Sequence, residues 1–307
     1  MELFGCGTAL ITPFRADGTV DERALHAHVE WQIHSGVELL IPCGTTGEAA
    51  TLSEDECIRV IETTCAAAQG RAPVFAGCTH NSTALAVTRV KRLAQVSGLT
   101  GILTANPFYN KPGQEGQYQH FKAIAEATSL PIMLYNIPGR TGANLEPETV
   151  ARLAQIENIV AIKESSGNMQ QITDLLTTVP RSFRVFAGDD SLALPILALG
   201  GAGLISVASN VVPTQIADMV RAAIRDDWAT ARRINRHFYP LMKALFVEPS
   251  PAPVKAMLAI LGRGADTLRL PMVPVSDGFR HRLERLAGEL GLLVHSPAGQ
   301  VDDLGMF

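Results

Sequence analysis

The chain has 307 residues, of which 47% are hydrophobic and 18% charged, with a formal net charge of −4. That length holds one large domain or two ordinary ones around a sizeable core, and the absence of any basic run argues against nucleic acid as the main partner. No run of 18 apolar residues occurs and the start, Met1-Glu2-Leu3-Phe4-Gly5, lacks a signal-peptide pattern, so no membrane partner is expected and the expected setting is cytoplasmic.

The predicted elements alternate strand and helix. Thr8-Ala9-Leu10-Ile11 reads as the first strand, followed by a helix over 21–35 with Asp21 as cap and Gly36 as stop. Val37 to Pro42 is a second strand, and Ser53-Glu54-Asp55-Glu56 opens a second helix with a capping-box pattern. Pro73 to Gly77 with Ser82 to Ser97 makes the third pair, and Gly101 to Thr104 with 114–128 the fourth. Pro131 to Tyr135 with 146–155 is the fifth, Ile159 to Lys163 with 168–178 the sixth, Arg184 to Ala187 with 190–199 the seventh, and Gly203 to Ser206 with 213–225 the eighth.

Eight such pairs in about 225 residues predict an α/β chain of the (β/α)8 TIM-barrel class over residues 1–226. A doubly wound open sheet fits less well, because no Gly-rich GxGxxG turn follows the first strand. From 227 to 292 the pattern is helical only, with helices near 227–246, 251–262 and 276–291, which predicts a C-terminal helical extension; 293–307 reads as a tail.

Active sites of such barrels lie at the C-terminal ends of the strands, which makes the strand-end residues the candidates. The sixth strand ends in Lys163, before Glu164-Ser165-Ser166-Gly167. A lysine that loses water at the end of an apolar strand is favoured as the neutral amine, a nucleophile toward ketones; the competing assignment is a lysine that snorkels outward or pairs with Glu164. The second strand runs into Gly44-Thr45-Thr46-Gly47-Glu48, which can fold as a nest of N–H groups for a carboxylate or serve as an ordinary loop. Glu48 orients that loop or is a solvated first-turn carboxylate.

Tyr135 is a core aromatic or a proton shuttle. Arg140, in a Pro-Gly-Arg-Thr-Gly loop, is a surface charge or a fork for a substrate carboxylate. Tyr109 lies exposed in a Pro-rich loop unless a second subunit covers it. Asp189 and Asp190 read as caps of the seventh helix. Gly200-Gly201-Ala202-Gly203 precedes a strand and therefore falls on the opposite face, as a tight turn. Lys255, also in apolar company, is the rival nucleophile.

The five cysteines, Cys6, Cys43, Cys57, Cys65 and Cys78, form no CxxC and have no histidine at ligand spacing, and the eight histidines show no HExxH. Packing is their expected role, in a reducing compartment, and no metal is expected.

Taken together, Gly44-Thr45-Thr46-Gly47-Glu48, Tyr135-Asn136-Ile137-Pro138 and Ile162-Lys163-Glu164-Ser165-Ser166-Gly167 resemble the signatures of the dihydrodipicolinate synthase/N-acetylneuraminate lyase superfamily, over roughly residues 3 to 292. The resemblance implies a (β/α)8 barrel with a helical extension, commonly a homotetramer, that forms a Schiff base between pyruvate and the lysine matching Lys163. Tyr135, Thr45 and Tyr109 match the proton relay, with Tyr109 reaching in from a neighbouring subunit. The backbone N–H groups of Thr45 and Thr46 match those that hold the pyruvate carboxylate, Gly188 and Ile205 match backbone positions lining the pocket, and no dissociable cofactor is implied. The double threonine, Asn106-Pro107-Phe108-Tyr109-Asn110-Lys111-Pro112 and Arg140 resemble the branch whose second substrate is L-aspartate-4-semialdehyde, with Arg140 binding it.

Aldolases acting on 2-keto-3-deoxy-sugar acids or 4-hydroxy-2-oxoglutarate share the Schiff base, and a barrel that senses oxo acids without turnover is a further alternative. In members inhibited by lysine, an interface pocket carries histidines, an asparagine, a glutamate and a tyrosine. The matching positions here are Glu54, Cys57, Asn81, Leu85 and Phe108, so only the asparagine remains and weak or absent feedback is expected.

Overall fold

Each predicted strand–helix pair is present. The computed structural model describes residues 3–293, and among them eight strands form one sheet: β1 (Gly5–Ala9), β2 (Leu39–Ile41), β3 (Phe75–Gly77), β4 (Gly101–Ala105), β5 (Ile132–Asn136), β6 (Ile159–Glu164), β7 (Arg184–Ala187) and β8 (Gly203–Ser206). The intervening helices are α1 (Glu22–His34), α2 (Glu54–Ala68), α3 (Thr83–Leu93), α4 (Gln114–Glu126), α5 (Pro138–Thr141), α6 (Pro147–Leu153), α7 (Met169–Thr178), α8 (Ala193–Ala198) and α9 (Pro213–Ile224). Three more, α10 (Trp228–Ala244), α11 (Ala252–Ile260) and α12 (Asp277–Glu289), occupy the predicted extension. Of the predicted tail, only Leu293 lies among the described residues.

The strands are hydrogen-bonded in the order β2-β1-β8-β7-β6-β5-β4-β3, all neighbours parallel. A parallel bridge from Leu40 to Val74 joins the two ends and closes the ring. Side chains alternate across a strand, so each strand supplies two cores. Leu39, Ile41, Phe75, Leu103, Met133, Ala161, Phe186 and Ile205 fill the barrel interior, whereas Leu40, Ile102, Leu134, Ile162 and Val185 pack outward against the helices.

Local chemistry sets the helix ends. Asp21 accepts from the Ala24 N–H at the start of α1, and Ser53 and Glu56 form the reciprocal capping box of α2. Asn168 caps α7. The extension shares a continuous core with β8 and α9 of the barrel: Phe238, Leu241, Val254, Met257 and Leu283 pack with Leu204, Ile216 and Val220. Burying each such side chain contributes about 1.5–3 kcal/mol, which holds α10 to α12 on the barrel.

Three readings differ from what formed. The first strand lies earlier, at Gly5–Ala9 rather than 8–11, because its glycines carry no apolar period. Gly7 is required there: a Cβ on it would stand 2.7 Å from Ile205 Cδ1 inside the barrel. The 138–141 segment is a short helix rather than a loop, begun by Pro138 at its first position. The seventh helix starts with a 3-10 turn, Asp190–Leu192, before α8. The Gly200-Gly201-Ala202 turn feeds β8 as expected, with the Gly201 N–H donating to Ile196 O at 2.9 Å.

Candidate active site

Alternation along β6 decides which way its charged pair points. Ala161 faces the interior, Ile162 the helices, and by the same period Lys163 turns inward and Glu164 outward. Glu164 accepts from Asn136 Nδ2 at 3.0 Å and from the Ser166 N–H at 2.6 Å, and burial pushes its carboxyl above the usual carboxylate range. Lys163 neither pairs with Glu164 nor snorkels out, being 5% exposed. Among the described residues no carboxylate pairs with its Nζ, which stands 4.4 Å from the centroid of the Tyr135 ring.

The register puts Tyr135 beside Lys163 on β5 and Phe186 beside it on β7. Two residues beyond Phe186, Gly188 leaves room for the lysine stem: a Cβ there would lie 2.9 Å from Lys163 Cε and 1.9 Å from Ser165 Oγ. Ile205 closes the interior from β8 and is fully buried.

The Gly44–Glu48 turn follows β2 at the same rim. Thr45 is exposed and Thr46 buried, and among the described residues the N–H of neither finds an acceptor. Thr12 Oγ1 donates to Gly47 O at 2.7 Å, and the Glu48 N–H closes the turn on Thr45 O at 3.1 Å. Glu48 itself is left-handed, with φ 54°. It is no solvated carboxylate: it is buried and pairs with the fully buried Lys255 of α11. The rival lysine is thereby held by a carboxylate, on the extension side of the turn.

A cavity of about 690 Å³ opens at this rim, lined by Thr45, Tyr135, Ile137 and Arg140 among others, and extends past Cys57 and His80 to Phe108. Lys163 does not line it but stands against the ring of Tyr135, which does; Thr46, Gly188, Ile205 and Tyr109 do not line it either. Arg140 rides on α5, exposed, with no side-chain partner among the described residues. Tyr109 is 87% exposed. Its loop has positive φ at Tyr109 (72°) and Lys111 (46°), and the Tyr109 N–H is tied to Thr141 O at 3.3 Å. Within one chain no hydrogen bond joins the hydroxyls of Tyr135, Thr45 and Tyr109 among the described residues.

The two aspartates after β7 divide their work. Asp189 caps the 3-10 turn, accepting from Ser191 N at 2.9 Å. Asp190 caps no helix. The turn swings it inward, where it accepts from Ser206 Oγ and from the N–H groups of Val207 and Ala208. It thus fastens the end of β8, with its carboxyl pushed up by burial.

Asn106 and Asn136, within the motifs of the strand ends, carry no role visible from the sequence alone. Asn106 Nδ2 donates to Gln117 Oε1 at 2.8 Å and Ala143 O at 3.0 Å. Asn136 donates to Asn144 Oδ1 at 3.0 Å and accepts from the Leu145 N–H at 3.0 Å. This buried amide network sets the segment that carries Arg140. The available signal was polar residues ending two apolar strands.

A closed barrel whose mouth holds a lysine unpaired among the described residues beside a phenol, with a turn of N–H groups likewise free among them nearby, has the parts for capturing an oxo acid as an imine. The chain belongs to the dihydrodipicolinate synthetase family, whose model matches residues 2–290. It is 60% identical over 301 residues to the 4-hydroxy-tetrahydrodipicolinate synthase of Acidobacterium capsulatum, covering 98% of this chain and 100% of that one. Among solved structures, the dihydrodipicolinate synthase of Acinetobacter baumannii complexed with pyruvate matches with TM-score 0.93 at 39% identity, over 95% of this chain and 100% of that one. DHDPS from Cyanidioschyzon merolae with lysine bound matches with TM-score 0.91 at 40% identity, over 94% and 99% of the two chains.

Proposed function

We infer that the chain condenses pyruvate with L-aspartate-4-semialdehyde to 4-hydroxy-tetrahydrodipicolinate, a step of lysine and diaminopimelate biosynthesis. The observation that carries this is Lys163, buried and, among the described residues, unpaired against Tyr135 in the barrel mouth, in a chain 60% identical to a synthase of that name.

In this reading the Lys163 amine adds to the ketone carbon of pyruvate. Tyr135, with Thr45 and the Tyr109 of a neighbouring subunit, passes the protons that let the carbinolamine lose water. The imine sheds a methyl proton to become an enamine, whose carbon attacks the aldehyde carbon as the aldehyde oxygen takes a proton. The substrate's own amine then displaces Lys163, closing the ring and freeing the enzyme, so that one water leaves in all. The N–H groups of Thr45 and Thr46 hold the pyruvate carboxylate and the Arg140 fork holds that of the second substrate. Gly188 and Ile205 line the pocket beside the lysine.

A homotetramer belongs to the same reading. Its supports are the outward Tyr109 and the exposed apolar residues Leu270, Val273, Phe246 and Val247. A cytoplasmic setting is supported by five free cysteines. At the positions of the lysine-inhibited members' pocket, Glu54 is already paired with Arg89 at 2.9 Å and Arg92 at 3.3 Å, and Leu85 offers no carboxylate; this supports weak or absent feedback.

The test is an assay of the purified protein with both substrates, coupled to dihydrodipicolinate reductase and followed by NADPH loss. Turnover dependent on both is the expected result. Absence of turnover, with pyruvate still trapped on Lys163 by borohydride, reassigns the acceptor to an aldolase substrate.

A further inference from the structure

We propose that Lys255 of the C-terminal extension, acting through Glu48, is a positioning residue for the oxo acid's carboxylate. The proposal rests on the reading above in which the Thr45 and Thr46 N–H groups take that carboxylate.

The geometry is that of a clamp. Lys255 is fully buried on α11, pairs with Glu48 Oε1, donates to Thr267 O at 2.9 Å and lies 4.2 Å from the Phe14 ring centroid. Glu48 Oε2 accepts from the Arg269 N–H at 3.2 Å. The Arg269 guanidinium in turn grips Glu56 with two bonds, at 2.6 and 2.9 Å, and donates to Thr51 O at 2.9 Å. On the other side of the turn, Thr12 holds Gly47 O. Thr45 is therefore joined to the extension through one residue, Glu48, whose N–H bonds Thr45 O. Glu48 also sits in left-handed backbone, a conformation that persists for a non-glycine only where its surroundings over-determine it.

Stability alone is a poor reason for this arrangement, because a buried ion pair is often replaceable by apolar residues at no cost. Two charges aimed at a strained turn that carries free N–H donors fix the register of those donors. Lys255 touches no reacting atom in this scheme.

The experiment compares two ketones on the full chain, pyruvate and acetone, by the concentration needed for half-maximal borohydride trapping on Lys163. Only pyruvate has a carboxylate for the cradle. The variants are Lys255→Met, and Glu48→Gln/Lys255→Met, which removes both charges, keeps an acceptor for the Arg269 N–H and decides the matter if the single variant does not fold. We expect the pyruvate concentration to rise roughly tenfold or more while the acetone concentration stays within about twofold. A folded double variant that traps pyruvate at the unaltered concentration overturns the proposal, as does an equal loss for both ketones, which is general loosening. An unaltered protein that traps acetone as readily as pyruvate removes the carboxylate cradle itself, and the positioning role with it.

Discussion

Lys163 and Lys255 stand in apolar surroundings that look alike on paper, one ending a strand and one inside a helix, and the molecule treats them in opposite ways. Lys255 has a carboxylate, a carbonyl and an aromatic face arranged around its Nζ; burial pulls its pKa down from the ordinary value while Glu48 opposes the shift. Lys163, among the described residues, has the Tyr135 ring and no carboxylate. A buried charge with its partner is spent on holding structure. A buried amine without one is available to a ligand, and its desolvation is a cost that a structural role does not repay.

That contrast is broken or sharpened by substitution, and the largest expected effect is on chemistry. Lys163→Ala should abolish borohydride trapping of pyruvate and cut turnover by roughly a thousandfold or more. Its thermal midpoint should be unchanged or higher, since an unpaired buried amine is removed. Persistent trapping would move the nucleophile elsewhere, with Lys255 next in line.

Lys255→Met should do the reverse, lowering the unfolding free energy in urea by about 3–5 kcal/mol, because Glu48 is left buried without its partner. Glu48→Gln/Lys255→Met should recover most of that loss. If Lys255→Met unfolds at the same urea concentration as the unaltered protein, the pair is not doing what its geometry indicates.

Tyr135→Phe keeps the ring against Lys163 but removes the hydroxyl, and should lower kcat roughly a hundredfold with little change in stability. Arg140→Ala should raise KM for the aldehyde substrate by the equivalent of about 1.5–3 kcal/mol and leave pyruvate trapping alone; a shift in both sinks the separate assignment of the two carboxylates. Smallest of all is the response to L-lysine. Because Glu54 is engaged by arginines and Leu85 carries no charge, sub-millimolar lysine should leave the coupled assay unaffected, and half-inhibition in that range would restore a feedback site.

Much of this was legible in the chain itself. Short continuous apolar runs and the Ser53 to Glu56 capping box marked strands and a helix start because both are short-range effects. The β1 shift and the 3-10 turn at Asp190 were not, since glycines carry no pattern and a one-turn helix has too few residues to show a period. Asp190 and Glu48 were misjudged or left open for a related reason. Asp190 looked like a helix cap and Glu48 like a solvated first-turn carboxylate, and their true partners lie 16 and 207 residues away in sequence.

The sequence by itself determined the alternation of strand and helix, and with it a barrel whose strand ends carry Lys163, Tyr135 and the Thr45-Thr46 turn. Local propensity and the short apolar runs suffice for that. Only the tertiary structure decided which buried lysine is paired and which, among the described residues, is free. The interior of a barrel is defined by neighbours on other strands, and a carboxylate's choice of partner is settled by which distant backbone the closed ring brings within hydrogen-bond reach.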